Sequence, residues 1–87
     1  MTEDFRHPPK GNPVALLRLQ KDLTQAELAR AAGLHRSVVS RTENDLGIPR
    51  PATIQKLARV FKISPSLLRD ALLARREALK KQKDMAI

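Results

Sequence analysis

The stretch from Thr24 to Asn44 constrains the fold more than any other part of the chain. It encodes two helices with only four positions, Gly33 to Arg36, to carry the chain between them. The first opens on Thr24-Gln25-Ala26-Glu27. Threonine followed three residues later by glutamate is a capping box: the threonine oxygen accepts from the glutamate N–H, and the glutamate carboxylate accepts from the threonine N–H. Leu28, Ala29 and Ala32 then face inward, and Gly33 closes the helix, because glycine tolerates positive φ at little steric cost. The second helix is expected over roughly Arg36 to Asn44. Val39 is its inward anchor, with Thr42 and Glu43 on the same side at i+3 and i+4. The small side chains of Ala29 and Ala32 allow close approach of the two helices. A helix-turn-helix and an ordinary helical hairpin both fit this spacing.

The rest of the chain adds three helices. Asn12-Pro13 reads as an N-cap followed by proline at the first helical position. That helix is expected to run to about Lys21, with Val14 and Leu17 inward, before the tight break Lys21-Asp22-Leu23. Asp45 to Arg50 is a loop holding Gly47 and Pro49. Pro51 restarts a helix in which Ile54, Leu57, Ala58 and Phe61 follow core spacing. Ser64-Pro65 opens a fifth helix with Leu67, Leu68, Ala71 and Leu72 on one stripe, weakly extended by Leu79. Past Leu72 the chain turns basic through Arg75, Arg76, Lys80, Lys81 and Lys83. There is no internal repeat and no strand-like alternation. The expectation is an all-α fold: a flexible arm over residues 1–12, a five-helix domain over 13–72, and a basic helical extension over 73–87.

Composition narrows the partner. Eighty-seven residues support one small core. A formal net charge of +8 favours an anionic partner, whether nucleic acid, a membrane surface or an acidic protein. The only aromatics are Phe5 and Phe61, too few for the stacking platforms of RNA or single-strand binders. The basic tail lacks Trp or Phe to anchor it on a membrane, no apolar run is long enough to span one, and the N-terminus has no secretory pattern. With no cysteine, disulfides and thiolate metal sites are excluded, and a cytoplasmic setting is expected. His7 and His35 stand in the arm and a turn, without a Gly-rich phosphate loop or a carboxylate pair. Neither an enzyme nor a cofactor or metal site is expected.

The run LRLQKDLTQAELARAAGLHRSVVSRTEN resembles the Cro/repressor-type (XRE-like) helix-turn-helix family. The similarity extends from about Val14 to Leu68. It includes L-T-Q-x-E-L-A at Leu23 to Ala29, then Gly33, then R-x-x-V-S-R-x-E-N at Arg36 to Asn44, and the Pro49 to Leu57-Ala58 spacing. The resemblance implies a phage-repressor-like domain with an extended C-terminal helix. It also implies a sequence-specific regulator of transcription on double-stranded DNA, expected to be a repressor that binds a palindromic operator as a homodimer. Two positions depart from the family. Asp45 stands where glycine is usual, so Asn44 or Asp45 should take the left-handed turn. Thr42 replaces a bulky apolar residue, which suggests a slightly looser core.

Helical geometry sorts the site residues. At about 100° per residue, Ser37 and Arg41 lie opposite Val39 and Glu43, and Arg36 and Val38 flank them. Arg36, Ser37, Val38 and Arg41 are therefore the candidate base readers: arginine can donate two bonds to guanine, and valine can meet a thymine methyl. The alternative for both arginines is phosphate neutralisation or plain solvation. The candidate contacts to the DNA backbone are Thr24, Gln25, His35, Ser40 and Arg50, those of Gln25 and Arg50 being implied by the resemblance. Thr24 is first a cap, and His35 stands at the N-cap place of the second helix. The resemblance further implies a structural ion pair between Arg18 and Glu43. Leu68, Leu72 and Leu79 are the candidate dimer seam; the alternative is that Leu67, Leu68 and Leu72 close the chain's own core. In the arm, Arg6 and Lys10 are candidates for reaching a groove or a phosphate, but the favoured expectation is a solvated, disordered arm. A competing function is an antitoxin-like or bridging-factor-like module whose C-terminal helix binds a protein partner.

Overall fold

Four of the five described helices begin where the sequence supplies a side-chain cap or a proline; α3 begins without either. A computed structural model of the chain describes residues 11–85, and these form five α-helices without a strand: α1 (Pro13–Gln20), α2 (Gln25–Ala32), α3 (Arg36–Glu43), α4 (Pro51–Phe61) and α5 (Pro65–Met85). The expected arm, with Arg6 and Lys10, falls outside the described residues except for its last two positions. Of these, Asn12 is buried, and its Oδ1 accepts from the Val14 N–H at 2.8 Å. The capping box at α2 is complete: Glu27 N–H donates to Thr24 Oγ1 at 3.1 Å, and Thr24 N–H donates to Glu27 Oε1 at 2.8 Å. At α5, Leu67 N–H donates to Ser64 Oγ at 3.1 Å. His35 and Arg50 occupy the N-cap positions of α3 and α4 without a side-chain cap bond.

Helix ends are made by left-handed residues. Gly33 has φ 69°, and the next amide, Leu34 N–H, reaches back to Ala29 O at 2.8 Å. This satisfies a carbonyl that the end of the helix would otherwise orphan. After α3 the left-handed residue is Asp45, with φ 60°, and Leu46 N–H donates to Arg41 O at 3.1 Å. The expected turn is thus found at the second of its two candidate positions. Lys62 does the same after α4.

The core sits where the inward faces converge. Val14, Leu28, Val39, Leu57 and Leu68 are fully buried, joined by Ala29, Ile54, Ala58, Phe61 and Leu72. α2 packs on α3 and α4, α4 packs on α5, and α1 touches α3 and α5. Thr42 is also buried, and its hydroxyl donates to Val38 O at 2.8 Å. The hydroxyl at this apolar position is therefore satisfied within its own helix. Leu68 and Leu72, candidates for a dimer seam, are core residues of their own chain with almost no surface left to offer a second copy. Leu79 is half-buried, and Leu67 is exposed, beside Leu17, Ile63 and Ala71 at the rim of the core.

Replacing Leu28 by Ala is expected to cost about 2–5 kcal/mol, through lost transfer energy and the cavity left behind. The exposed Leu46→Ala should stay within about 0.5 kcal/mol. Urea denaturation checks both, with a lowered midpoint and unchanged slope for the first variant only.

Candidate nucleic-acid interface

α3 is split lengthwise into a dry face and a wet one. Val39 is 0% and Thr42 4% exposed, while Arg36, Ser37 and Arg41 are exposed and Val38 is half-buried. This is the arrangement that the 100° step implies once Val39 points inward. Beyond the helix the wet face continues into an open groove of about 390 Å³. Its lining includes Val38 and Arg41 of α3, Leu46 and Arg50 of the loop that follows, and Thr53 of α4. Leu46 is 62% exposed, and the sequence reading did not single it out, because one apolar residue in a loop has no periodicity to reveal it.

The remaining candidates vary in how far they are already engaged. Thr24 is exposed and serves as the cap. Arg50 is exposed at the start of α4. His35 is exposed, with its Nδ1 3.4 Å from Ser37 Oγ. Ser40 is half-buried, and its Oγ accepts from Asn44 Nδ2 at 3.3 Å. Gln25 donates through Nε2 to Glu43 Oε1 at 3.0 Å. A glutamine amide carries two N–H donors, so one remains for another acceptor.

Two polar networks fix the inner end of α3. The first joins Arg18 and Glu43, as the resemblance implies. Arg18 Nε donates to Glu43 Oε2 at 2.7 Å and Nη2 to Oε1 at 3.0 Å, a two-pronged pair, while Nη1 donates to Leu23 O at 2.7 Å. The side chains are 14% and 6% exposed. The hydrogen bond to Glu43 raises the Arg18 pKa; burial opposes it, and the carboxylate charge adds to it.

The second network was not foreseen from the sequence. Asn12 Nδ2 donates to Thr42 O at 2.8 Å and to Asp45 Oδ1 at 2.9 Å. Arg75 donates to the same carboxylate, from Nε at 3.2 Å and Nη2 at 3.1 Å. Burial pushes the Asp45 carboxyl upward, but hydrogen bonds from Arg75 and Asn12, with the arginine's charge, outweigh it and hold the pKa below the ordinary carboxylate value. The one sequence signal for this network is an acid where the family has glycine.

Both networks make stability predictions. Glu43→Ala leaves a mostly buried guanidinium unpaired and should cost about 2–4 kcal/mol. A double-mutant cycle with Arg18→Ala should show strong coupling. Asp45 contributes stability that is fully present above its unfolded-state pKa and is lost as the pH falls through its lower folded-state value. Acid unfolding of the Asp45→Asn variant should therefore be less steep below the ordinary carboxylate range than that of the parent.

Comparison with known proteins agrees with this geometry. Residues 14–68, which run from the first core residue of α1 to the first of α5, match the helix-turn-helix family model. The HTH-type transcriptional repressor RghR of Bacillus subtilis is 43% identical over 54 residues, covering 61% of this chain and 40% of the relative. The HTH-type transcriptional regulator RghRB of the same organism is 41% identical over 56 residues, 63% of this chain and 40% of its own length. The match thus spans well under half of either relative. With its capped α2, left-handed Gly33, short turn and α3 anchored on Val39, the chain belongs to the helix-turn-helix family of the Cro/repressor (XRE-like) type.

Proposed function

We propose that this chain binds double-stranded DNA sequence-specifically and regulates transcription, as a repressor that occupies a palindromic operator as a homodimer. The observation that carries the reading is the division of α3: Arg36, Ser37 and Arg41 are exposed beside Val38, while Val39 and Thr42 are dry. A helix held this way can enter the major groove with its N-terminal half, where arginine reads guanine O6 and N7 and valine meets a thymine methyl. Thr24, Gln25, His35, Ser40 and Arg50 border this surface as contacts to the sugar-phosphate backbone. The names of the two relatives, a transcriptional repressor and a transcriptional regulator, support the same reading. One domain of this size reads few base pairs, and a two-fold operator doubles them. Since Leu68 and Leu72 are committed to the core and Leu79 borders a small cavity of its own chain, the second copy meets residues that α5 leaves outside, Leu67 among them.

Selection of bound duplexes from a random pool should enrich a two-fold symmetric site with half-site centres about 10–10.5 bp apart, or a multiple of that. Arg41→Ala should remove about 1–3 kcal/mol of preference at one base pair of each half-site. Gln25→Ala should weaken all duplexes about equally, and the affinity of the parent should fall steeply with salt. Anisotropy titrations over a duplex panel read these effects. A chain that binds every duplex alike at moderate salt would sink the reading, and sedimentation of a monomer on a single half-site would sink its dimeric part.

A further inference from the structure

We propose that Asp45 and Arg75 form a positioning pair for DNA recognition, through which the basic extension of α5 sets how α3 presents its outward side chains. The proposal rests on the DNA-binding reading above. It starts from a conformational penalty. Asp45 has φ 60°, a region that glycine enters freely and other residues enter at a cost. Glycine would close α3 more cheaply, so the carboxylate must offset the penalty. It accepts three hydrogen bonds, one from Asn12 and two from Arg75. The Asn12 amide nitrogen that reaches Asp45 also reaches Thr42 O, in the last turn of α3. The end of α3 is therefore fastened at once to the N-cap of α1 and to α5.

The attachment point on α5 is specific. Arg75 lies three residues beyond Leu72, the last buried leucine among the described residues of that helix. Arg76 and Leu79 follow and border Gly47 and Ile48 in a small cavity shared with Asn12 and Asp45. The extension thus lies against the loop that connects α3 to Arg50. The Arg18–Glu43 network holds α3 from α1 and the start of α2 and uses none of these residues. The two side chains of the Asp45–Arg75 pair are 22% and 16% exposed, sheltered enough to fix a geometry as well as to add stability.

Two measurements on the full chain test the pair. The amides of Asn44, Asp45 and Leu46 donate to Ser40 O, Thr42 O and Arg41 O, so their hydrogen exchange reports on the closure of α3. Arg75→Gln should speed exchange there by about three- to tenfold and leave the amides of α2 and α4 unchanged; Arg75→Lys should restore part of the protection. At a temperature where all variants are folded, Arg75→Gln and Asp45→Asn should each lower the ratio of affinities for the selected and a mismatched duplex by a similar factor. The double variant should do no more than either alone. Unchanged exchange at the three amides overturns the pair as a clamp. Faster exchange with an unchanged affinity ratio overturns its role in recognition. A parent without any duplex preference overturns the reading on which the proposal rests, an outcome distinguished from failure of the clamp by the exchange data.

Discussion

Eight residues are too few to hold a helix in water, since nucleation is unfavourable and each added residue recovers only a little. α3, at Arg36–Glu43, is such a helix. It exists because its neighbours grip it, and everything asked of its outer face depends on that grip. The apolar part is Val39, fully buried among the core residues of the other helices. It fixes which side of α3 faces inward, but one valine leaves the helix free to pivot about the contact. The polar part removes that freedom. Glu43 is held from α1 and the start of α2, and Asp45 from the N-cap of α1 and from α5. Both anchors lie at the C-terminal end, opposite the end that offers Arg36 and Ser37.

Ion pairs this deep are poor stabilisers, because desolvating the charges offsets most of the attraction between them. Their geometry is what a hydrophobic replacement would not reproduce. Glu43 accepts from three donors, Nε and Nη2 of Arg18 and Nε2 of Gln25, and the third guanidinium nitrogen, Nη1, donates to Leu23 O. An arginine fork in register with a carboxylate tolerates little rotation. A leucine at either position could slide over its neighbour with small loss. The arrangement suits a helix whose angle matters more than the last kilocalorie of stability.

The helices themselves were legible because their signals are local. Asn12-Pro13, Thr24 to Glu27, Gly33, Pro51 and Ser64-Pro65 each act within a few residues, and the helix limits fall within a residue of where they point. The dry and wet faces of α3 were legible for the same reason, as a consequence of one fixed angular step. The assignment of α5 was harder. Its apolar stripe runs from Leu67 to Leu72 and is weakly extended by Leu79, and periodicity does not say how much of a stripe the chain's own core consumes; Leu68 and Leu72 are consumed and Leu67 is not. The network of Asn12, Asp45 and Arg75 joins positions 30 and 33 residues apart. No local spacing encodes it, and Arg75 is indistinguishable in sequence from the basic residues around it.

The same packing also sorts charge. α3 carries both signs: Arg36 in its first turn and Arg41 opposite Val39 are exposed, and Glu43 ends the helix on the inward side. Glu43 turns inward, where Arg18 neutralises it, and the acid that follows the helix is neutralised by Arg75. A polyanion approaching the wet face meets guanidinium groups first, with the nearest carboxylates of that helix and turn already matched by partners behind it. Electrostatic attraction falls off within about a Debye length, roughly 8–10 Å at ordinary ionic strength. At that range, such a sorting of charge on one short helix matters more than the net charge of +8 spread over the whole chain. The two partly buried pairs that fix the angle of α3 thus also leave its outer face basic, so geometry and field are set by the same side chains.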